Sequence, residues 1–226
     1  MIRRLRKIAK EKGYTIYTEP FKLNIWGFRA NTEKPNVFDD ELHVFTNISQ
    51  TKIAKWAYLI FKITTDPGTY WLKNPMNPQG TAILKAGQYI DTYKIAKHRN
   101  KYYALCQRLK KVTVIRDYDR DALLDFNNGK EATGMFGINI HRALKTGSTY
   151  VVNRFSAGCQ VFKNAQDFDF FMKLCEVHKK LHGNKFTYTL VDKRMESRQL
   201  LKTITISSIL ITIAIGGYFF VTHKND

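Results

Sequence analysis

Two residues in the segment 138–162, His141 and Cys159, are of types that can do chemistry together. A thiol attacks a carbonyl carbon as the thiolate, so it needs a base or a positive charge at hand, and donors for the charge that develops on the attacked oxygen. His141 closes the apolar run "GMFGINIH", and Cys159 follows eighteen positions later in the small-residue setting Ser156-Ala157-Gly158-Cys159. At a strand's edge the imidazole would serve as the base. With Ala157 and Gly158 before the thiol, successive backbone N–H groups would converge on an oxyanion, and no side chain would obstruct a substrate. On residue types alone the competing account is two core residues, because free cysteine is among the most buried residue types.

Elements able to carry such a pair follow from pattern. A chain of 226 residues with 44% hydrophobic residues holds one well-buried domain and appendages. Thr, Tyr, Phe, Ile and Val crowd its first two thirds, which favours sheet. Strand-like runs are "KLNIWGF", "ELHVF", "KWAYLIFKIT", "GTYWL", "TAILKAGQYIDTYKI", "KVTVI", "GMFGINIH", "STYVV" and "FTYTLV". Turn signals such as Asp66-Pro67-Gly68 and "KNPMNPQG" separate them. A mainly β domain is expected, a β-sandwich or partial barrel with one substantial helix. That helix is predicted over 167–183, with Phe168, Phe171, Met172, Leu174 and Cys175 on one stripe and Gly183 as its stop.

The two ends of the chain differ in kind from its middle. Residues 1–20 begin with a short basic amphipathic helix rather than a signal peptide, expected to be a solvated terminal segment, with a membrane-surface or nucleic-acid contact as the alternative. Residues 203–222 carry no charged side chain and match the length that crosses a hydrocarbon core of about 30 Å as a helix. They are expected to form a C-terminal transmembrane anchor, joined to a domain over 21–192 by a basic linker over 193–202. Positive charge before that span outweighs positive charge after it, a bias that would leave the domain in the cytoplasm.

The formal charge of +18 draws the protein to anionic polymers or lipid without choosing among them. No nucleic-acid recognition motif is present, and no specific nucleic acid is expected. Cys106, Cys159 and Cys175 are odd in number and lack CxxC spacing, so neither a disulfide framework nor a metal or cofactor is expected. Asp117, Asp119, Asp121 and Asp125 are spaced somewhat like a calcium loop, but Ala122 and Asn128 stand where such a loop needs Gly and Glu, which favours a solvated hairpin.

The order His first, then Cys eighteen positions on at the end of Ser-x-Gly-Cys, resembles the active-site signature of the L,D-transpeptidases (YkuD-type domains), in which a strand with "GIHG" leads to "SHGC". The matching positions are Ile140-His141 and Ser156-Ala157-Gly158-Cys159, with Gly137 shortly before. "FDDELHVF" and "KWAYLIFKITTDPG" resemble that family's opening hairpin. The segments "TDPGTYWL", "GMFGINIHRA" and "SAGCQVF" are also similar to uncharacterised phage and prophage proteins of Bacteroides-like bacteria.

The family resemblance implies a mostly β enzyme that cuts a peptidoglycan stem peptide through an acyl-cysteine, resolved by an amine or by water. Cys159 would be the nucleophile and His141 the base. The amides of Ala157, Gly158 and Cys159 would be the oxyanion donors, and Ser156 would shape the turn. Ala157 stands where the family has a second histidine, and Val161 where an arginine or asparagine often follows. Arg142 or Arg154 is expected to supply the missing contact to a stem carboxylate. The expected partners are thus peptidoglycan and, through the C-terminal helix, a membrane. A wall- or membrane-binding module of the same fold without catalysis is the alternative.

Overall fold

The computed structural model describes residues 1–51, 53–127 and 129–194. In chain order the elements are α1 (Ile2–Lys12), β1 (Asn24–Arg29), β2 (Asp40–Asn47), β3 (Trp56–Thr64), α2 (Thr69–Lys73), β4 (Thr81–Leu84), β5 (Gly87–His98), β6 (Tyr102–Gln107), β7 (Val112–Asp117), β8 (Lys130–Gly134), β9 (Ile140–Arg142), β10 (Gln160–Phe162), α3 (Ala165–His182) and β11 (Phe186–Asp192). The mainly β class holds. In place of a sandwich, eight strands close a barrel in the order β1-β11-β5-β6-β9-β10-β3-β2, and β4-β7-β8 form a separate sheet.

The barrel encloses Ile25, Leu42, Val44, Tyr93, Leu105, Ile140 and Leu190, positions that alternate along their strands as one buried face requires. The expected opening hairpin is present, pairing β2 with β3 from Asp40↔Ile63 to Asn47↔Trp56. Two joins are parallel, β1 with β11 and β9 with β10. Strands β9 and β10 have three residues each, too few to hold a barrel closed alone. α3 packs along them, and Phe168 and Phe171 meet Phe162 of β10 with ring centroids 5.5 and 5.1 Å apart. As the apolar stripe requires, α3 buries Phe168, Phe171 and Cys175, is capped by Asn164 and stops at Gly183.

A buried charge cluster ties one end of the barrel. Arg29, 1% exposed, ends β1, and its Nε lies 2.7 Å from Asp66 Oδ1 while Nη2 donates to the Leu84 carbonyl at 3.0 Å. Asp40 accepts the N–H groups of Ala30 (2.7 Å) and Thr65 (2.6 Å). Burial and the neighbouring Asp66 push its carboxyl up to about 7. The cluster fixes the turn Asp66-Pro67-Gly68 against the loop before Cys159. Gly68 N–H donates to Ser156 O at 2.9 Å, and a Cβ on Gly68 would stand 1.9 Å from Asn153 O, so only glycine allows this approach.

Several sequence expectations are corrected. "GTYWL" forms α2 instead of a strand; five residues started by Gly68 bury Leu72, and that contact outweighs strand propensity. "TAILKAGQYIDTYKI" is divided between β4 and β5, which belong to different sheets. "STYVV" contributes only an isolated bridge at Ser148. β6, β8 and β10 were not anticipated. α1 is not a solvated tail, because Leu5, Ile8 and Ala9 are buried against Trp26, Phe28, Phe45 and Val191 on the barrel's outer face. Of the expected linker, only residues 193 and 194 are described; the predicted span 203–222 lies outside the described residues. Among the described residues, no helix is long and apolar enough to cross a membrane.

Leu5 is fully buried, so Leu5→Ala should lower stability by about 2–4 kcal/mol in urea unfolding. A change within about 0.5 kcal/mol, as at a free surface site, would contradict the docking of α1.

Candidate active site

The parallel pairing of β9 with β10 sets Val161 beside His141 and Gln160 beside Ile140. Alternation along a strand then turns Cys159, one step before β10, to the same face as Val161 and His141. Both residues line one cavity of about 550 Å³, together with His98, Arg99, Arg108, Arg116, Asn139 and Ala157. The pair is therefore gathered at an open cleft, with Cys159 partly exposed and His141 5% exposed.

The two groups rest as neutral species. The ring of His141 offers Nδ1 to the Arg142 carbonyl at 2.9 Å, which makes Nδ1 the protonated nitrogen and leaves the Nε2 lone pair as the base. Burial, then the adjacent His98, holds the imidazole down to about 3. The His98 ring stacks on His141 with centroids 4.2 Å apart and planes at 24°, and burial holds it down to about 4. Around Cys159, the sulfur accepts the Asn139 N–H at 3.4 Å and meets the Gly137 carbonyl at 3.5 Å. Burial pushes the thiol up to about 11, against the lowering effects of the Asn139 N–H and of Arg99. Among the described residues no hydrogen bond joins the sulfur to the His141 ring.

The turn before the thiol is held from within. Ser156, fully buried, donates through Oγ to Cys159 O (2.8 Å) and accepts the Gly158 N–H (3.2 Å). Of the three expected oxyanion donors, Gly158 is thus already engaged, and the amides of Ala157 and Cys159 remain. Gly158 has φ +114°, and a Cβ there would lie 2.1 Å from the Ala82 carbonyl. The sequence expectation was that small residues clear a path for substrate; at Gly158 the space is taken by β4.

Both arginines chosen from sequence lie elsewhere. Arg142 stacks over Tyr102 (4.5 Å) and pairs with Asp169 (3.2 Å), lining a different groove. Arg154 is exposed and stacks over Tyr70 at 3.9 Å. The cavity's cations come instead from the tip of the β5–β6 hairpin (Arg99), the end of β6 (Arg108) and β7 (Arg116), and its lining includes no acidic residue. Arg99 (φ 49°) and Asn100 (φ 58°) are both left-handed, the dihedrals of a tight hairpin turn, closed by Lys101 N–H to His98 O at 2.9 Å. Neither residue is glycine, so the turn left no ordinary signal in the sequence.

Two further residues position the site. Asn139 receives the Gln107 N–H on Oδ1 (2.9 Å) and reaches His98 Nδ1 through Nδ2 (3.1 Å), which assigns that His98 nitrogen as acceptor. Gln107, fully buried, accepts the N–H groups of Phe136, Gly137 and Ile138 on one oxygen at 3.1, 2.8 and 3.1 Å. Its Nε2 donates to the carbonyls of Lys110 and Gly134. The cavity wall from 134 to 139 is thus built around one amide. The presence of Asn one step inside "INIH" was a readable hint; Gln107 was not, since its partners are nearly thirty positions away in sequence.

In the acidic loop, Asp119 and Asp121 accept backbone N–H groups of the loop itself, and Asp117 accepts that of Asp125. Among the described residues no three His, Cys, Asp or Glu side chains are grouped to hold a metal. No protein-family model matches the chain, and no curated protein or solved structure does either.

Gln107→Leu leaves three backbone donors without their acceptor and should cost about 3–5 kcal/mol in unfolding free energy. A thiol held at about 11 is ionised in only about one molecule in ten thousand at pH 7. Alkylation of Cys159 in the resting protein, followed by mass spectrometry, should accelerate about tenfold per pH unit from 7 to 10. A rate plateau near neutrality would reveal a preformed thiolate–imidazolium pair instead.

Proposed function

We propose that this protein is a cysteine enzyme of the L,D-transpeptidase kind, acting on peptidoglycan stem peptides through an acyl-enzyme and held to a membrane by residues 203–222. One observation carries the reading. Cys159 and a neutral His141, whose Nδ1 is tied to the Arg142 carbonyl, line a single cavity beside three arginines. As the sulfur adds to the scissile carbonyl, its proton passes to His141 Nε2, and the new oxyanion is met by the N–H groups of Ala157 and Cys159. An imidazole with so low a proton affinity holds a proton only while negative charge stands beside it. It then yields the proton to the departing amine, and an incoming amine or water breaks the thioester with His141 again as base.

The cationic cavity favours a donor with a free carboxylate near the scissile bond. In this account Arg99 and Arg108, both exposed and lining the cavity, take the role that the sequence reading gave to Arg142 and Arg154. A second reading, a wall-binding module without catalysis, is favoured by the unionised resting thiol. Incubation of the protein with purified sacculi separates the two. The enzyme releases or exchanges stem peptides, seen as altered muropeptides, and loses this at least about a thousandfold in Cys159→Ala. Arg99→Ala and Arg108→Ala should each raise KM several-fold for a carboxylate donor, and little for its amide. Retention on sacculi by wild type and Cys159→Ala alike, with no muropeptide change, would establish the binding module.

A further inference from the structure

We propose that Arg116 is an anchor for a ligand carboxylate, set in the wall of the cavity that holds Cys159 and His141. Three arginines are buried among the described residues, Arg29, Arg116 and Arg194. Two of them have carboxylate partners: Arg29 pairs with Asp66 and Asp192, and Arg194 with Asp192. Arg116, 7% exposed, has no carboxylate partner among the described residues. A charge taken out of water is ordinarily paired, because little else repays the lost hydration. Here the counter-charge is missing.

The contacts Arg116 does make hold it in place and leave its charge standing. Nη1 donates to the Gly80 carbonyl at 3.2 Å, and the guanidinium lies over the Phe136 ring at 4.7 Å. Nε is buried without a partner. The second Nη1 hydrogen and those of Nη2 carry no bond among the described residues, and together they match the two oxygens of a carboxylate. Its cross-strand neighbours, Ala82 on β4 and Lys130 on β8, supply no counter-charge. Asp117, next in the chain, turns to the other face of β7 and accepts the Asp125 N–H. Gly80 and Phe136, which hold the guanidinium, line the same cavity as Cys159 and His141, and that lining has no acidic residue. A second groove that touches Arg116 includes Glu131, so an anion is directed to the first. Gly158 leans on the carbonyl of Ala82, the residue paired with Arg116, which places the anchor one strand from the thiol's loop. Arg99 and Arg108 are exposed and keep their hydration; Arg116 is the desolvated cation of the three. The assignment concerns binding and stands whether or not Cys159 reacts.

The test uses the full chain in a nonionic detergent at about pH 9, where the thiol reacts measurably, and follows iodoacetamide alkylation of Cys159 by mass spectrometry. The competitors are N-acetylglycine and its neutral amide. N-acetylglycine is expected to slow alkylation several-fold, and the amide little. This protection should vanish in Arg116→Met, which keeps the unbranched stem, and should weaken but persist in Arg99→Ala/Arg108→Ala. If Arg116→Met does not fold, Arg116→Lys takes its place. It keeps the charge and loses the fork, and should need several-fold more N-acetylglycine for the same protection. Equal protection by acid and amide, or none by either, overturns the assignment, as does undiminished protection in folded Arg116→Met or an unchanged requirement in Arg116→Lys. Complete loss of protection in Arg99→Ala/Arg108→Ala would move the anion to the exposed arginines and overturn it too. Inert sacculi beside intact protection would refute the catalytic reading alone.

Discussion

The barrel closes through a ladder of three residue pairs. Everything that could be catalytic depends on that ladder, because the parallel match of Gln160 with Ile140 and of Val161 with His141 alone decides that the sulfur and the imidazole face one cavity. A slip of one residue would turn one of the two groups to the opposite face. So short a ladder cannot fix its own register. The aromatic contacts of Phe162 with Phe168 and Phe171 supply the missing hold from α3. On the other side, the Arg29 and Asp66 pair secures the turn whose Gly68 N–H binds Ser156. A charge at the barrel's end and a helix across its seam therefore act on the same loop.

Electrostatically the site is quiet at rest. Desolvation keeps His141 and His98 unprotonated and Cys159 protonated, so no ion pair is stored. The reactive charges would appear only during attack, in a space whose fixed charges are the arginines and whose hydrogen-bond donors are already oriented. Such a site spends little in reorganising dipoles as charge develops, which is how preorganised enzymes stabilise transition states. The amide of Gln107 maintains this order from behind the wall, and Asn139 links that wall to both the thiol and His98.

Much of this arrangement was legible in the sequence, for identifiable reasons. α3 declared itself through a stripe of the right period with Gly183 after it, and β2 and β3 through their strand-like runs, whose pairing as a hairpin came from the family resemblance. His141 and Cys159 could be singled out because their chemistry is local to residue type and spacing. What sequence could not carry was anything decided by distant pairing. "YYALCQ" became a strand because β5 and β9 flank it, and "GTYWL" a helix because a buried Leu72 mattered more than propensity. Arg142 and Arg154 flank the motif in sequence but stack on Tyr102 and Tyr70. The cations that line the cavity arrive from elements as much as sixty positions earlier in the chain.

The position of Arg99 has an evolutionary corollary. It stands exposed at the apex of a hairpin, in a left-handed turn, and Arg108 directly follows the same hairpin's second strand. Exchange of this one loop would change one of the cavity's three arginines while leaving sulfur, imidazole and barrel seam untouched. The cavity's charge could therefore vary between lineages by swapping a fingertip and keeping the hand.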